Sequence, residues 1–205
     1  MPVNDELTPD QALEKLLEGN KRFVQGTVQF GSGINLQRRT DVSKAQKPFA
    51  VVIACSDSRV PVEYIFDAGI GDVFVIRNAG NLIDDVTLGS IEYAATMLKT
   101  PLLLILGHTN CGAVSSAIKA FQNPEEFGNS HIDSIISRLL PAVITEKEQT
   151  NDLAKWHELS MKRNLEIVGW QVQKTSNCLS DLIEKGTFVI KRGVYDTVGG
   201  TVEIL

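Results

Sequence analysis

The chain has 205 residues, 43% of them hydrophobic and 22% charged, which suits one globular domain with a sizeable core. Its formal net charge of −5 argues against nucleic acid or an anionic membrane as the main partner, since both need a clustered positive surface. Three widely spaced cysteines do not make a disulfide framework, Met1 to Asp10 lacks the basic and apolar regions of a signal peptide, and no apolar run reaches membrane-spanning length, so a reducing, cytoplasmic setting is expected.

In chain order, Thr8-Pro9-Asp10-Gln11 has the pattern of a capping box with proline at the first helical position. Leu13, Leu16, Leu17, Asn20 and Val24 follow at helical spacing, so the pattern predicts an amphipathic helix over 9–25, ended by Gly26. Gly31-Ser32-Gly33 reads as a turn and Ile34 to Ala45 as a short second helix. The continuously apolar runs Phe49 to Ala54, Val73 to Ile76 and Leu102 to Leu106 suit strands covered on both faces of a parallel sheet. Val86 to Lys99, with Asp85 as its cap, is helix-like. Gly112 to Phe121 and Ser130 to Val143 read as helices separated by a loop, and 152–185 as helix broken near Gly169 or Ser176. Strands at Thr187 to Lys191 and Tyr195 to Ile204 close the chain. The alternation predicts an α/β fold in one domain over 1–205: a helical arm at 1–45, then a core at 46–205 with about four parallel strands and an antiparallel edge strand, flanked by helices.

Ligand sites in open parallel sheets gather beyond the carboxyl ends of the strands. Cys55 follows the first apolar run directly, and His108 lies one glycine after the third, with Cys111 three residues further on. Neighbouring strands would bring these together as a Cys2His set, one position short of a tetrahedral zinc. A helix starting at Gly112 would favour the thiolate of Cys111 through the partial positive charge at its N-terminus. The alternative is two small buried thiols and a hydrogen-bonded turn histidine, but Asp57 and Arg59 beside a buried strand are easier to explain by a polar site. His131 and His157 sit in helical segments without metal-like spacing and read as surface or structural, and Cys178 as a buried or free thiol. The Gly69-Ile70-Gly71 and Gly31-Ser32-Gly33 glycines lack the context of a phosphate loop.

Ala54-Cys55-Ser56-Asp57-Ser58-Arg59-Val60 and Gly107-His108-Thr109-Asn110-Cys111-Gly112-Ala113-Val114 resemble the β-class carbonic anhydrases. Phe74 to Asn81, Gly89 to Ala94 and the late Tyr195-Asp196 with Gly199-Gly200 are similar to further segments of that family, in the same order. The resemblance implies one zinc per chain on Cys55, His108 and Cys111, and reversible hydration of carbon dioxide to bicarbonate by attack of zinc-bound hydroxide. It implies that Asp57, held by Arg59, orients the nucleophile, or in a closed state takes the fourth zinc position itself. Val52 stands where members with an allosteric bicarbonate pocket carry tryptophan, whereas Gln46 matches a substrate-binding glutamine of the open-site branch. Phe74, Ala79, Tyr93 and Gly112 fall at that branch's substrate-lining positions. The family's sites at dimer interfaces imply a homodimer, tetramer or larger assembly, with the N-terminal helix as a dimerisation arm and Gln46 serving the neighbouring subunit. Carbon disulfide and carbonyl sulfide hydrolases share the zinc set, and a closed, non-enzymatic zinc site is the other alternative.

Overall fold

The computed structural model describes residues 7–29 and 33–205; Gly31 and Ser32 of the expected turn lie outside them. Helix α1 (Pro9–Gln25) begins as its sequence dictates, with the Thr8 hydroxyl accepting from Gln11 N and the Gln11 side chain accepting from Thr8 N. It ends at Gly26, whose φ of 68° places it in the left-handed region that glycine tolerates. Helix α2 (Leu36–Asp41) is shorter than the expected Ile34 to Ala45, running from an Asn35 cap only to Asp41.

Strands β1 (Ala50–Cys55), β2 (Val73–Asn78), β3 (Leu102–His108), β4 (Val189–Tyr195) and β5 (Val202–Ile204) form a sheet of order β2-β1-β3-β4-β5. The first four are parallel and β5 pairs antiparallel with β4, as the sequence predicts. Residues along β1 and β3 alternate between two cores. Val51, Ile53, Leu103 and Ile105 face one cluster, while Ala50, Val52, Leu102 and Leu104 face the other. All eight are fully buried, each larger side chain contributing about 1.5–3 kcal/mol. This double burial is why the runs are apolar without polar alternation.

Helices α3 (Val62–Ile65) and α1 cover the second face. Helices α4 (Asp85–Glu92), α5 (Gly112–Gln122), α6 (Asp133–Lys147), α7 (Leu153–Thr175) and α8 (Asn177–Glu184) cover the first. The connection from β1 to β2 runs through α3 on one face, and that from β2 to β3 through α4 on the other. The switch point therefore falls between the carboxyl ends of β1 and β3, where open α/β sheets place ligands.

Several boundaries differ from expectation for local reasons. Asp84, not Asp85, caps α4, its Oδ1 accepting from Thr87 N at 2.7 Å. The predicted helix to Lys99 becomes a π turn over Tyr93–Met97 after Glu92 and stops at Lys99, whose φ is 56°. Helix α6 starts at Asp133, because that carboxylate accepts from Gly128 N and Ser130 N and holds the preceding segment as a loop. His131 therefore lies in a turn and is exposed, not in a helix. The break after α7 is at Ser176, whose hydroxyl accepts from Leu179 N; Gly169 stays helical. There, a Cβ would lie 3.5 Å from Ile105 Cδ1. Tyr195 ends β4 instead of opening the last strand, and Gly193 lies within β4 because β5 packs across it, Glu203 O being 3.1 Å from where its Cβ would be.

Candidate metal centre

Cys55 ends β1 and His108 ends β3, and because those strands are direct neighbours their last residues emerge side by side. Asn110, at φ 57°, turns the chain back so that Cys111 caps α5. The ligand atoms of Cys55, His108 and Cys111 all lie within 4.8 Å of one another, and all three residues are buried. A cavity of about 640 Å³ between the start of α4 and helices α6 and α7 lies elsewhere and is lined by none of them. The chemistry lies instead in the small cluster at the carboxyl ends of β1 and β3.

Two buried thiols at this separation cannot both ionise without a cation. A hydrogen bond from the Cys111 thiol, with smaller help from the Gly80 and Asp57 amides, pulls the Cys55 thiol down. The same hydrogen bond, reinforced by burial, pushes Cys111 up, against the favourable Ala113 and Val114 amides at the start of α5. Two thiolates this close repel each other, and a dication is what would let both form. The histidine fits the same demand. His108 Nδ1 lies 2.9 Å from Thr109 O, and a carbonyl only accepts, so Nδ1 carries the proton and Nε2 the lone pair. Nε2 is buried and has no hydrogen-bond partner among the described residues, at an expected cost of about 1–3 kcal/mol unless a metal engages it. Two thiolates and a neutral imidazole are the donors zinc prefers.

Asp57 stands beside the cluster, with Oδ2 at 4.0 Å from His108 Nε2. Its carboxylate is gripped by Arg59: Oδ1 accepts from Arg59 N and Nε, both at 2.9 Å, and Oδ2 from Nη2 at 2.7 Å. That side-chain pairing, ahead of every other influence, holds the Asp57 carboxyl well below the usual carboxylate range. Arg59 Nη2 also donates to Asn110 O at 3.0 Å, tying the two ligand loops together.

Four contributors escaped sequence reasoning. Arg77 donates to the carbonyls of Cys55 (3.1 Å) and Asp57 (2.7 Å), pinning the backbone that carries both. Gly80 N donates to Cys55 Sγ at 3.4 Å. His157, on α7, places Nε2 3.0 Å from Cys111 O. Thr109 joins the site to the β4–β5 turn. A strongly basic residue directly after the apolar run Val73 to Ile76 is a readable signal for Arg77; the others depend on contacts across the fold.

Of the other candidates, Gln46 and Phe74 lie back along the strands from this cluster. Gln46 precedes β1, at the opposite end of the strand from Cys55, and is exposed. Phe74 pairs with Val51, four rows or about 13 Å back from the row of Cys55. Its ring centroid is 6.3 Å from that of the half-exposed Tyr93. Ala79 precedes Gly80 and lines a recess of about 140 Å³, and Gly112 is exposed at the start of α5 with open space about it. Val52 is fully buried in the second core.

The carbonic anhydrase family profile matches residues 50–202, a span that includes all three ligands. A carbonic anhydrase of Mycolicibacterium smegmatis is 38% identical over 196 residues, covering 96% of this chain and 93% of that protein. Carbonic anhydrase 2 of Mycobacterium tuberculosis is 38% identical over 192 residues, 94% of this chain and 90% of the relative. Among solved structures, the Coccomyxa β-carbonic anhydrase bound to acetazolamide superposes with a TM-score of 0.72 at 25% identity, over 94% of this chain and 86% of that one. A structure of tetrameric β-carbonic anhydrases from Sordaria macrospora gives 0.74 at 23% identity, over 94% and 96%, and speaks for the fold. With 38% identity to carbonic anhydrases over nearly its whole length, the same sheet, and a Cys2His cluster at its switch point, the chain belongs to the β-class carbonic anhydrase family.

Proposed function

We propose that this protein catalyses the reversible hydration of carbon dioxide to bicarbonate and a proton, with one zinc held by Cys55, His108 and Cys111. The observation that carries the reading is the buried convergence of those three donors beside an arginine-held carboxylate. Zinc, when bound, supplies a Lewis acid that brings the ionisation of a water molecule close to neutral pH. Asp57 accepts a hydrogen bond from the oxygen nucleophile and aims its lone pair at the carbon of carbon dioxide, while Arg59 holds the carboxylate in place. The bidentate grip of Arg59 supports an open site, in which Asp57 faces the fourth position without filling it.

Gln46, Phe74 and Tyr93 are proposed to line the site of a second copy, Gln46 donating to a substrate oxygen. What supports this is their placement: β1 alone separates Gln46 from its own ligands by about 16 Å. Ala79 and Gly112 are proposed as small surfaces beside the metal. The reading carries a homodimer as the smallest assembly, and a tetramer is compatible with the assemblies named for the Sordaria relatives.

Stopped-flow hydration of carbon dioxide by the zinc-loaded protein tests the activity, with carbon disulfide and carbonyl sulfide as competing substrates. Turnover of carbon dioxide that disappears in His108→Ala is expected. Rapid hydrolysis of the sulfur compounds with negligible carbon dioxide turnover would move the assignment to those hydrolases. Stoichiometric zinc with no turnover of any of the three would mark a structural site.

A further inference from the structure

The late segment Tyr195–Gly200 lies far from the ligands in sequence, yet it contacts the residue next to His108. Thr109 N donates to Tyr195 O at 3.0 Å, extending the β3–β4 ladder by one residue. Thr109 Oγ1 donates to Asp196 Oδ1 at 3.3 Å. It also accepts from Thr197 N at 3.0 Å and, since its own proton is engaged, from Thr197 Oγ1 at 3.0 Å. A hydroxyl has one proton and two lone pairs, so this one is fully used. The turn it grips is itself rigid. Asp196 accepts from Val198 N and Gly199 N, and its carboxyl is held below the usual range by those amides, Gly199 first. On the far side, buried Asn20 of α1 donates to Gly200 O at 2.8 Å and accepts from Val202 N at 2.9 Å.

The Thr109 carbonyl is the acceptor of the His108 Nδ1 proton. Whatever orients the Thr109 peptide therefore selects the His108 tautomer and aims Nε2 at the metal position. We propose that Thr109 is a positioning residue for the metal centre: through it, the Asp196–Thr197 turn locks the His108 ring in the ligating orientation. The inference rests on the assignment of His108 as a zinc ligand. Partners that orient a ligating histidine typically alter metal affinity by about 10- to 100-fold when removed.

Thr109→Val keeps the shape, removes the hydroxyl and orphans the Thr197 amide, while Thr109→Ser keeps all three hydroxyl hydrogen bonds. Zinc affinity is measured by chelator competition, alongside the visible absorption spectrum of the cobalt-substituted protein. Thr109→Val is expected to bind zinc about 10- to 100-fold more weakly with an altered cobalt spectrum, and Thr109→Ser to match the parent. Parent-like affinity and spectrum in a folded Thr109→Val overturn the proposal, as does Thr109→Ser failing alongside it. Should Thr109→Val not fold, Asp196→Asn is measured instead; weakened zinc binding supports the turn's role and unchanged binding overturns it. Failure of the parent itself to bind zinc overturns the ligand assignment, a result distinct from either.

Discussion

At the scale of single residues, the strongest contacts are those that hold charge in place. Arg59 makes two charge-assisted hydrogen bonds from its guanidinium to Asp57 and a third hydrogen bond to Asn110 O. With the carboxylate no longer held in its aim, Arg59→Gln is expected to lower kcat/KM for carbon dioxide by about 10- to 100-fold. Zinc content, measured on the same preparation, should stay unchanged, because Arg59 touches none of the three ligand side chains. Asp84 makes a prediction about stability. Its pKa lies below the ordinary 3.8, chiefly through the Thr87 amide it caps. A group lowered on folding stabilises the fold above its ordinary value, and the contribution fades as pH falls through the lowered one. Asp84→Ala should therefore lose about 1 kcal/mol at neutral pH, and urea unfolding in acid below the carboxylate range should show the gap to the parent closing.

Two helical glycines show how elements are spaced at the scale of the fold. A Cβ on Gly19 of α1 would lie 1.8 Å from Phe66 O, a backbone atom that cannot swing aside. Gly19→Ala is thus expected to destabilise by about 1–3 kcal/mol through overpacking, in spite of the better helix propensity of alanine. At Gly169 of α7 the Cβ would meet Ile105 Cδ1 at 3.5 Å and Arg192 Cδ and Ile190 Cγ2 at 3.9 Å, all ordinary contacts. Gly169→Ala should leave stability unchanged or raise it by up to about 1 kcal/mol. Denaturant midpoints of the two variants should move in opposite directions or, at the least, differ by more than their helix propensities allow. Read as a pattern, both glycines are simply poor helix formers; what lies across from each is set by how α1 and α7 pack on the sheet.

For the whole molecule, the metal centre joins β1, β3 and α5, so binding there stabilises the fold that brings them together. Zinc at about a hundredfold excess over its Kd should raise the unfolding free energy by about 2.7 kcal/mol. Thermal melts with zinc and with a chelator check this, and Cys111→Ser should shrink the difference between them. Sedimentation of the zinc-loaded protein tests the proposed pairing through Gln46; a monomer with full activity would leave Gln46, Phe74 and Tyr93 without their proposed role.

Sequence alone determined the elements whose signals are local. The capping box of α1, the apolar strands and the alternation that makes four of them parallel are all set by neighbours in the chain, which is why they were legible. The convergence of Cys55 with His108 and Cys111 was legible too, because a ligand at the end of a buried parallel strand has one direction to emerge. Choices between near-equivalent residues were not legible: Asp84 and Asp85 are both good caps, and only the register of α4 selects Asp84. Tertiary structure decided the rest. Arg77 on the Cys55 carbonyl, His157 on that of Cys111 and the β4–β5 turn on Thr109 are contacts between elements remote in sequence. Their hydrogen bonds depend on where the strands and α7 finally pack, a distance that no local pattern of residue types encodes.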